Sequence, residues 1–129
     1  MFYNDNKMKE IFTEKERLII KEAIIDHRAS NNHIPKSIYG KIVSSADRET
    51  NIETFFKRME GWTLKYYPNA DTEKKLYEAY IHMVDKYGID GYAKSFIPDS
   101  DYLDFRCKIT NYIDNKEEFA KTYIKINRL

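Results

Sequence analysis

The sequence has a single cysteine, Cys107, among 129 residues. An intrachain disulfide is therefore impossible, and a thiolate-based zinc site lacks its ligands. No charge of one sign dominates, since 22 Lys and Arg face 21 Asp and Glu for a formal net charge of +1. That balance gives no general electrostatic pull toward nucleic acid or an acidic membrane. The longest apolar runs are three or four residues, as at Leu18–Ile20, far short of a membrane span. The N-terminal stretch MFYNDNKMKE has no apolar run of the signal-peptide kind. These absences lead to the expectation of a soluble cytoplasmic protein with neither a membrane nor a nucleic-acid partner.

Proline and glycine are also scarce, at 3 and 4 residues, so few places force a helix to break. What the chain does have is apolar side chains: 42% of residues, including 11 Tyr and 7 Phe. That supply is enough for a core and argues against wholesale disorder. The apolar residues recur at steps of three and four between the breaks at Pro35, Gly61, Pro68, Gly88, Gly91 and Pro98, which is the helical period.

The spacing predicts five or six helices in one all-α domain spanning residues 1–129. The first starts near Thr13, whose spacing to Glu16 is that of a capping box. It runs to about Arg28, with Leu18, Ile19, Ala23 and Ile24 inward, and ends in a polar loop around Asn31 and Asn32. The second begins near Ser37 and buries Ile38, Ile42, Val43 and Ala46. A third stripe follows at Ile52, Phe55, Phe56 and Met59, either after a turn at Asn51 or within one bent helix, and Trp62, Tyr66 and Tyr67 close this segment.

Asp71 or Thr72 caps a helix carrying Leu76, Tyr77, Tyr80, Ile81 and Val84, which Gly88 ends with positive φ. A loop then runs to Pro98. Asp99 or Ser100 caps the next helix, with Tyr102, Leu103, Phe105, Ile109, Tyr112 and Ile113. Asn115 and Glu118 start the last one, with Phe119, Tyr123 and Ile124 inward. Cys107 reads as a packing residue, His33 as exposed, and His82 as a surface or partly satisfied histidine.

The densest chemistry lies in DHRASNNHIPKSIYGKIVSSADR, residues 26–48. Asp47 follows an apolar stripe, so its carboxylate needs a cation or donors to offset desolvation. His27 stands at the end of the preceding helix, and spacing alone does not decide whether it meets Asp47. Lys41, Arg48 and Arg28 suit a phosphate, or are ordinary solvated charges.

A helix ending in His27-Arg28-Ala29-Ser30, a proline loop, then Lys41-Ile42-Val43 and Ala46-Asp47-Arg48 resembles HD-domain metal-dependent phosphohydrolases, over about residues 11–50. The resemblance implies an all-α fold like the C-terminal part of an HD domain, with Asp47 in the place of a late metal-ligating Asp. It implies that His27, Lys41 and Arg48 serve substrate phosphate, with Arg28 and Ser30 in weaker supporting roles, and that the activity is metal-dependent hydrolysis of a phosphomonoester or phosphoanhydride in a phosphate-containing small molecule, nucleotides among the candidates. This chain departs from the family, because its three histidines, His27, His33 and His82, are followed by Arg, Ile and Met. The family's His-Asp doublet and early His are therefore missing. A divalent metal is expected only if another chain completes the site, and this chain alone is expected to be inactive. The alternative is a non-catalytic helical interaction module. A partial domain would leave an apolar face exposed, to be covered by a homodimer or a partner chain.

Overall fold

The computed structural model describes residues 2–31, 33–97 and 99–129. Asn32 of the expected polar loop and the break at Pro98 lie outside the described residues. The fold is all-α. After a 3-10 turn at Phe2–Asn4 come α1 (Asn6–Ile11), α2 (Glu14–Asp26), α3 (Ile38–Ala46), α4 (Ile52–Tyr66), α5 (Thr72–Tyr87), α6 (Ser100–Asp114) and α7 (Lys116–Asn127). No strand occurs among the described residues.

The helix starts follow local hydrogen-bond chemistry. Thr13 and Glu16 form the capping box of α2. Ser37 Oγ accepts the Gly40 amide, and Asn51 Oδ1 accepts the Thr54 amide, so α3 and α4 are separate helices. Asp71, Asp99 and Asn115 cap α5, α6 and α7 in the same way. The helix not expected from sequence is α1, capped by Asp5. At six residues it is too short to display an apolar period.

The chain divides into two compact units. Unit 1 comprises Met1–Arg48 with Lys94–Pro98, and unit 2 comprises Glu49–Ala93 with Asp99–Leu129. In unit 2, α4 packs on α5 and α7, α5 on α6 and α7, and α6 on α7. Phe55, Phe56, Met59, Met83, Tyr87, Phe105, Ile109, Phe119 and Tyr123 are buried there. The rings meet edge to face, as in Phe55–Phe105 at 5.8 Å and 77° and Phe56–Tyr112 at 5.1 Å and 81°. This geometry sets the positive ring edge against the negative ring face. A polar group is built into the core: Tyr123 Oη donates to Glu60 Oε2, Thr63 Oγ1 lies 3.2 Å from that hydroxyl, and Lys75 Nζ is 3.7 Å from Glu60 Oε1.

In unit 1, α1 packs on α2 and α2 on α3. Its buried residues are Ala23, Asp26, Pro35, Gly40, Ser44 and Arg48, all of them small, cyclic or charged. The expected stripe of α2 is split, with Ala23 buried and Ile19 half-buried as expected, and that of α3 turns outward. Leu18 and Ile24 on α2 are exposed, and so are Ile38, Ile42, Val43 and Ala46 on α3. The reason lies at Gly40. A Cβ there would sit 3.1 Å from the Pro35 Cβ and 3.5 Å from the Asp26 Cβ. The small residues Gly40 and Ser44 let the backbone of α3 approach closely, which leaves its branched side chains on the far side.

Two other burial expectations are corrected: Cys107 is exposed on α6 rather than packed, and Ile124 is exposed rather than inward. Tyr77, Ile81 and Leu103 lie on their expected helices and are exposed. Gly88 ends α5 with φ −67°, and no glycine among the described residues has positive φ. Close approach, not handedness, calls for glycine there, because a Cβ would stand 2.5 Å from the Val84 carbonyl oxygen.

Candidate functional site

The chemistry-bearing segment 26–48 lies within unit 1 and is held by two buried charged residues. Asp26 is the last residue of α2, where a negative charge opposes the helix dipole. It is offset by donors from the loop that follows. His33 Nε2 lies 2.9 Å from Asp26 Oδ1, and the Lys36 amide donates to Oδ2 at 3.1 Å. The His33 hydrogen bond, then the Lys36 amide, hold the Asp26 carboxyl below its ordinary value despite burial. His33 is half exposed, as expected, but it is engaged rather than idle.

Arg48 is neither a solvated charge nor open toward solvent. Its Nε donates to the Lys94 carbonyl at 2.8 Å, and one Nη donates to Ser44 Oγ at 2.6 Å and to the His27 carbonyl at 3.4 Å. The guanidinium thus bridges the C-terminal end of α2, α3 and the Lys94 segment of unit 1, and it places a cation where the α2 carbonyls are unsatisfied. Ser45 Oγ reinforces that attachment by accepting the amides of Phe96 and Ile97 at 3.2 and 2.9 Å.

His27 and Asp47, whose proximity the sequence left open, do meet. His27 Nε2 stands 3.7 Å from Asp47 Oδ2, at the ends of α2 and α3. His27 Nδ1 is turned to the Ile24 carbonyl. A carbonyl only accepts, so Nδ1 carries a proton and Nε2 is the atom facing the carboxylate. Asp47 is largely exposed, at 61% of its side chain. Lys41 is half-buried on α3, and Arg28 and Ser30 are exposed just after α2.

The pair His27–Asp47 supplies two donors. No group of three or more His, Cys, Asp or Glu side chains converges among the described residues. Hard divalent cations take several oxygen or nitrogen donors together. The donor set found here therefore does not fit a divalent metal. Sequence reasoning did not single out Asp26 and His33 as a pair. Their signal was a carboxylate and an imidazole flanking a loop of six residues, a spacing shared by many unrelated pairs.

No family model, curated protein or solved structure matches this chain. No helix among the described residues is long and apolar enough to cross a membrane.

Proposed function

We propose that the chain is a helical binding module that self-associates through the outward face of α3, and that it is not a catalyst on its own. One observation carries this reading. Ile38, Tyr39, Ile42 and Val43 are between 38% and 56% exposed on a nine-residue helix whose buried face is Gly40 and Ser44. With Ala46 they span an arc of about 140° on a helical wheel, the width of a core-facing stripe. With the neighbouring Ile34, this is roughly 500 Å² of apolar-residue surface, the size of the largest patch on a typical monomer, which is often functional.

A second copy of the chain is the favoured occupant, for two reasons. Two such faces together bury about 1,000 Å², the lower bound of a specific interface. The ends of the helix also carry opposite charge, Lys36 before it and Asp47 after it, both exposed. A two-fold axis across the middle of α3 brings each Lys36 toward the other copy's Asp47, which makes the face self-complementary.

The test is sedimentation velocity on the native chain and on the double variant Ile38→Glu/Ile42→Glu. The expected result is a concentration-dependent dimer that the variant abolishes without loss of helical circular dichroism. A native chain that stays monomeric at about 100 µM overturns the reading.

The meeting of His27 and Asp47 favours a second reading. By resemblance it is part of an HD-type phosphohydrolase completed by another chain, in which Asp47 would hold the metal and His27, Lys41 and Arg48 would face phosphate. The donor set of this chain alone supports no hydrolytic step, and the Arg48 guanidinium is already engaged. Stoichiometric Mn²⁺ uptake by the purified chain, lost in Asp47→Ala, would bring this reading forward. Uptake no greater than that of the variant would count against it.

A further inference from the structure

The segment between α2 and α3, within unit 1, orients an imidazole toward solvent. The two oxygens of the buried Asp26 carboxylate hold both ends of a short stretch: the His33 ring lies on Oδ1 and the Lys36 amide on Oδ2. The His33 hydrogen bond and then the Lys36 amide keep this carboxyl below its ordinary value, with a smaller pull from the Lys36 ammonium, so Asp26 is an anion at neutral pH. An ionised carboxylate only accepts, so the neutral His33 ring carries its proton on Nε2. The ring's lone pair is then on Nδ1, which has no hydrogen-bond partner among the described residues. The His33 side chain is 51% exposed, against 5% for that of Asp26.

We propose that His33 Nδ1 is a phosphoryl-acceptor site, on which the chain carries a phosphoryl group taken from a small donor of the phosphoramidate class. Attack on phosphorus uses a lone pair, and the tautomer fixed by Asp26 places that lone pair on the exposed side of the ring. Attack also leaves the imidazole positively charged, and the buried Asp26 anion already sits on Nε2–H to offset that charge. The incoming group is anionic, and the same segment supplies two features that favour an anion. Lys36 is exposed, and the nine-residue helix α3 starts directly after Ser37, so the positive end of its dipole adjoins the loop.

The step balances without a further reactant. The Nδ1 lone pair forms the N–P bond, the P–N bond of the donor breaks, and ammonia leaves with the bonding pair. The Nε2 proton stays on the ring, which becomes a cation against Asp26.

The other two histidines lack this arrangement. His27 Nδ1 is turned to the Ile24 carbonyl, and its Nε2 faces the Asp47 carboxylate, which repels a phosphoryl group. The His82 ring is half-buried and stacked flat on Trp62 at 4.2 Å.

The experiment is incubation of the full chain with phosphoramidate at neutral pH. Intact mass counts the phosphoryl groups, and phosphorus NMR separates an Nδ1 adduct from an Nε2 adduct. The expected result is a single acid-labile phosphoryl group on Nδ1 of His33, lost in His33→Gln and kept in His27→Gln and His82→Gln. Asp26 acts as a positioning residue. In Asp26→Asn the amide can donate to Nε2 and move the ring proton to Nδ1, so uptake is expected to slow at least about tenfold and to lose its preference for Nδ1. Circular dichroism verifies folding, and the isomer formed on the native chain decides the matter even if Asp26→Asn does not fold. No uptake, an Nε2 adduct on His33, or equal labelling of the three histidines would each overturn the assignment.

Discussion

Phe56 in unit 2 and Ile42 in unit 1 are both large apolar residues set at helical spacing, yet Phe56 is fully buried and Ile42 is 50% exposed. The contrast extends to the whole of each unit. Unit 2 buries its rings against one another, and each aromatic pair adds about 0.5–1.5 kcal/mol beyond the area removed from water. No Ile, Leu or Val of unit 1 is buried among the described residues. Unit 1 is joined instead by close approach at Gly40 and by the hydrogen bonds of Asp26, Ser45 and Arg48. Such bonds yield only about 0.5–1.5 kcal/mol net each, yet breaking a buried one leaves its partners unsatisfied. A unit that closes through polar groups can keep an apolar helix face turned outward. Unit 2 closes through its rings, and the large apolar residues it leaves outside, such as Tyr77 and Leu103, lie apart from that core.

The largest expected effects test this division directly. Phe56 touches the rings of Phe55, Tyr112, Phe119 and Tyr123. Phe56→Ala is expected to cost about 3–5 kcal/mol of stability, because it leaves a cavity among them. Arg48→Met keeps an unbranched apolar stem but leaves two carbonyls and the Ser44 hydroxyl without their donor, at a cost of about 2–3 kcal/mol. Urea unfolding combined with residue-resolved hydrogen exchange checks both. The Phe56 variant should lose protection in α4 and α7, and the Arg48 variant in α2 and α3. If Arg48→Met proves neutral, the polar account of unit 1 fails.

How much of this was legible in the sequence follows from the range of each interaction. Thr13 with Glu16, Ser37, Asn51, Asp71, Asp99 and Asn115 act on amides two or three positions away, so residue type and spacing reveal them. The face of α3 was not legible. A helical wheel says which residues share a side, not which side is inside, and here Gly40 and Ser44 decided it. The setting of Arg48 was not legible for a related reason: its Lys94 partner is 46 residues away. The meeting of His27 with Asp47 likewise depends on how α2 and α3 pack. At Gly88 the residue type was informative, but the cause was the nearby Val84 carbonyl rather than a left-handed turn.

A smaller effect separates the units by pH. The Asp26 carboxyl is pulled down by His33 and Lys36, so its stabilisation of unit 1 is complete above the unfolded value of about 4 and is lost as pH falls through the folded value. His82 in unit 2 is also depressed, by burial and Lys86 against a weaker opposing effect of Asp85. There the unfolded chain takes up the proton first, so unit 2 loses stability as pH falls below about 6.5. Amide protection in unit 2 should therefore begin to decline well before that of unit 1 as the solution is acidified. His82→Gln should remove the first decline, and Asp26→Asn the second. Simultaneous decline in both units would refute the separate assignment.

The smallest effects come from one chemical change made in each unit. Gly40 and Gly61 both lie inside helices, where replacing glycine by alanine gains about 0.5–1 kcal/mol by restricting the unfolded backbone. At Gly61, exposed on α4, a Cβ would meet nothing within 4 Å, so Gly61→Ala should realise that gain and raise the melting temperature by a few degrees. At Gly40 the same methyl group would press on Pro35 at 3.1 Å and touch Asp26 at 3.5 Å. Asp26 is fixed by His33 and by the Lys36 amide, so neither neighbour can yield without straining a buried hydrogen bond. Gly40→Ala should therefore reverse the sign and destabilise by about 1–2 kcal/mol, as overpacking does. Equal stabilisation at both positions would mean that α2 and α3 tolerate separation, and the outward turn of the α3 apolar face would then need another cause.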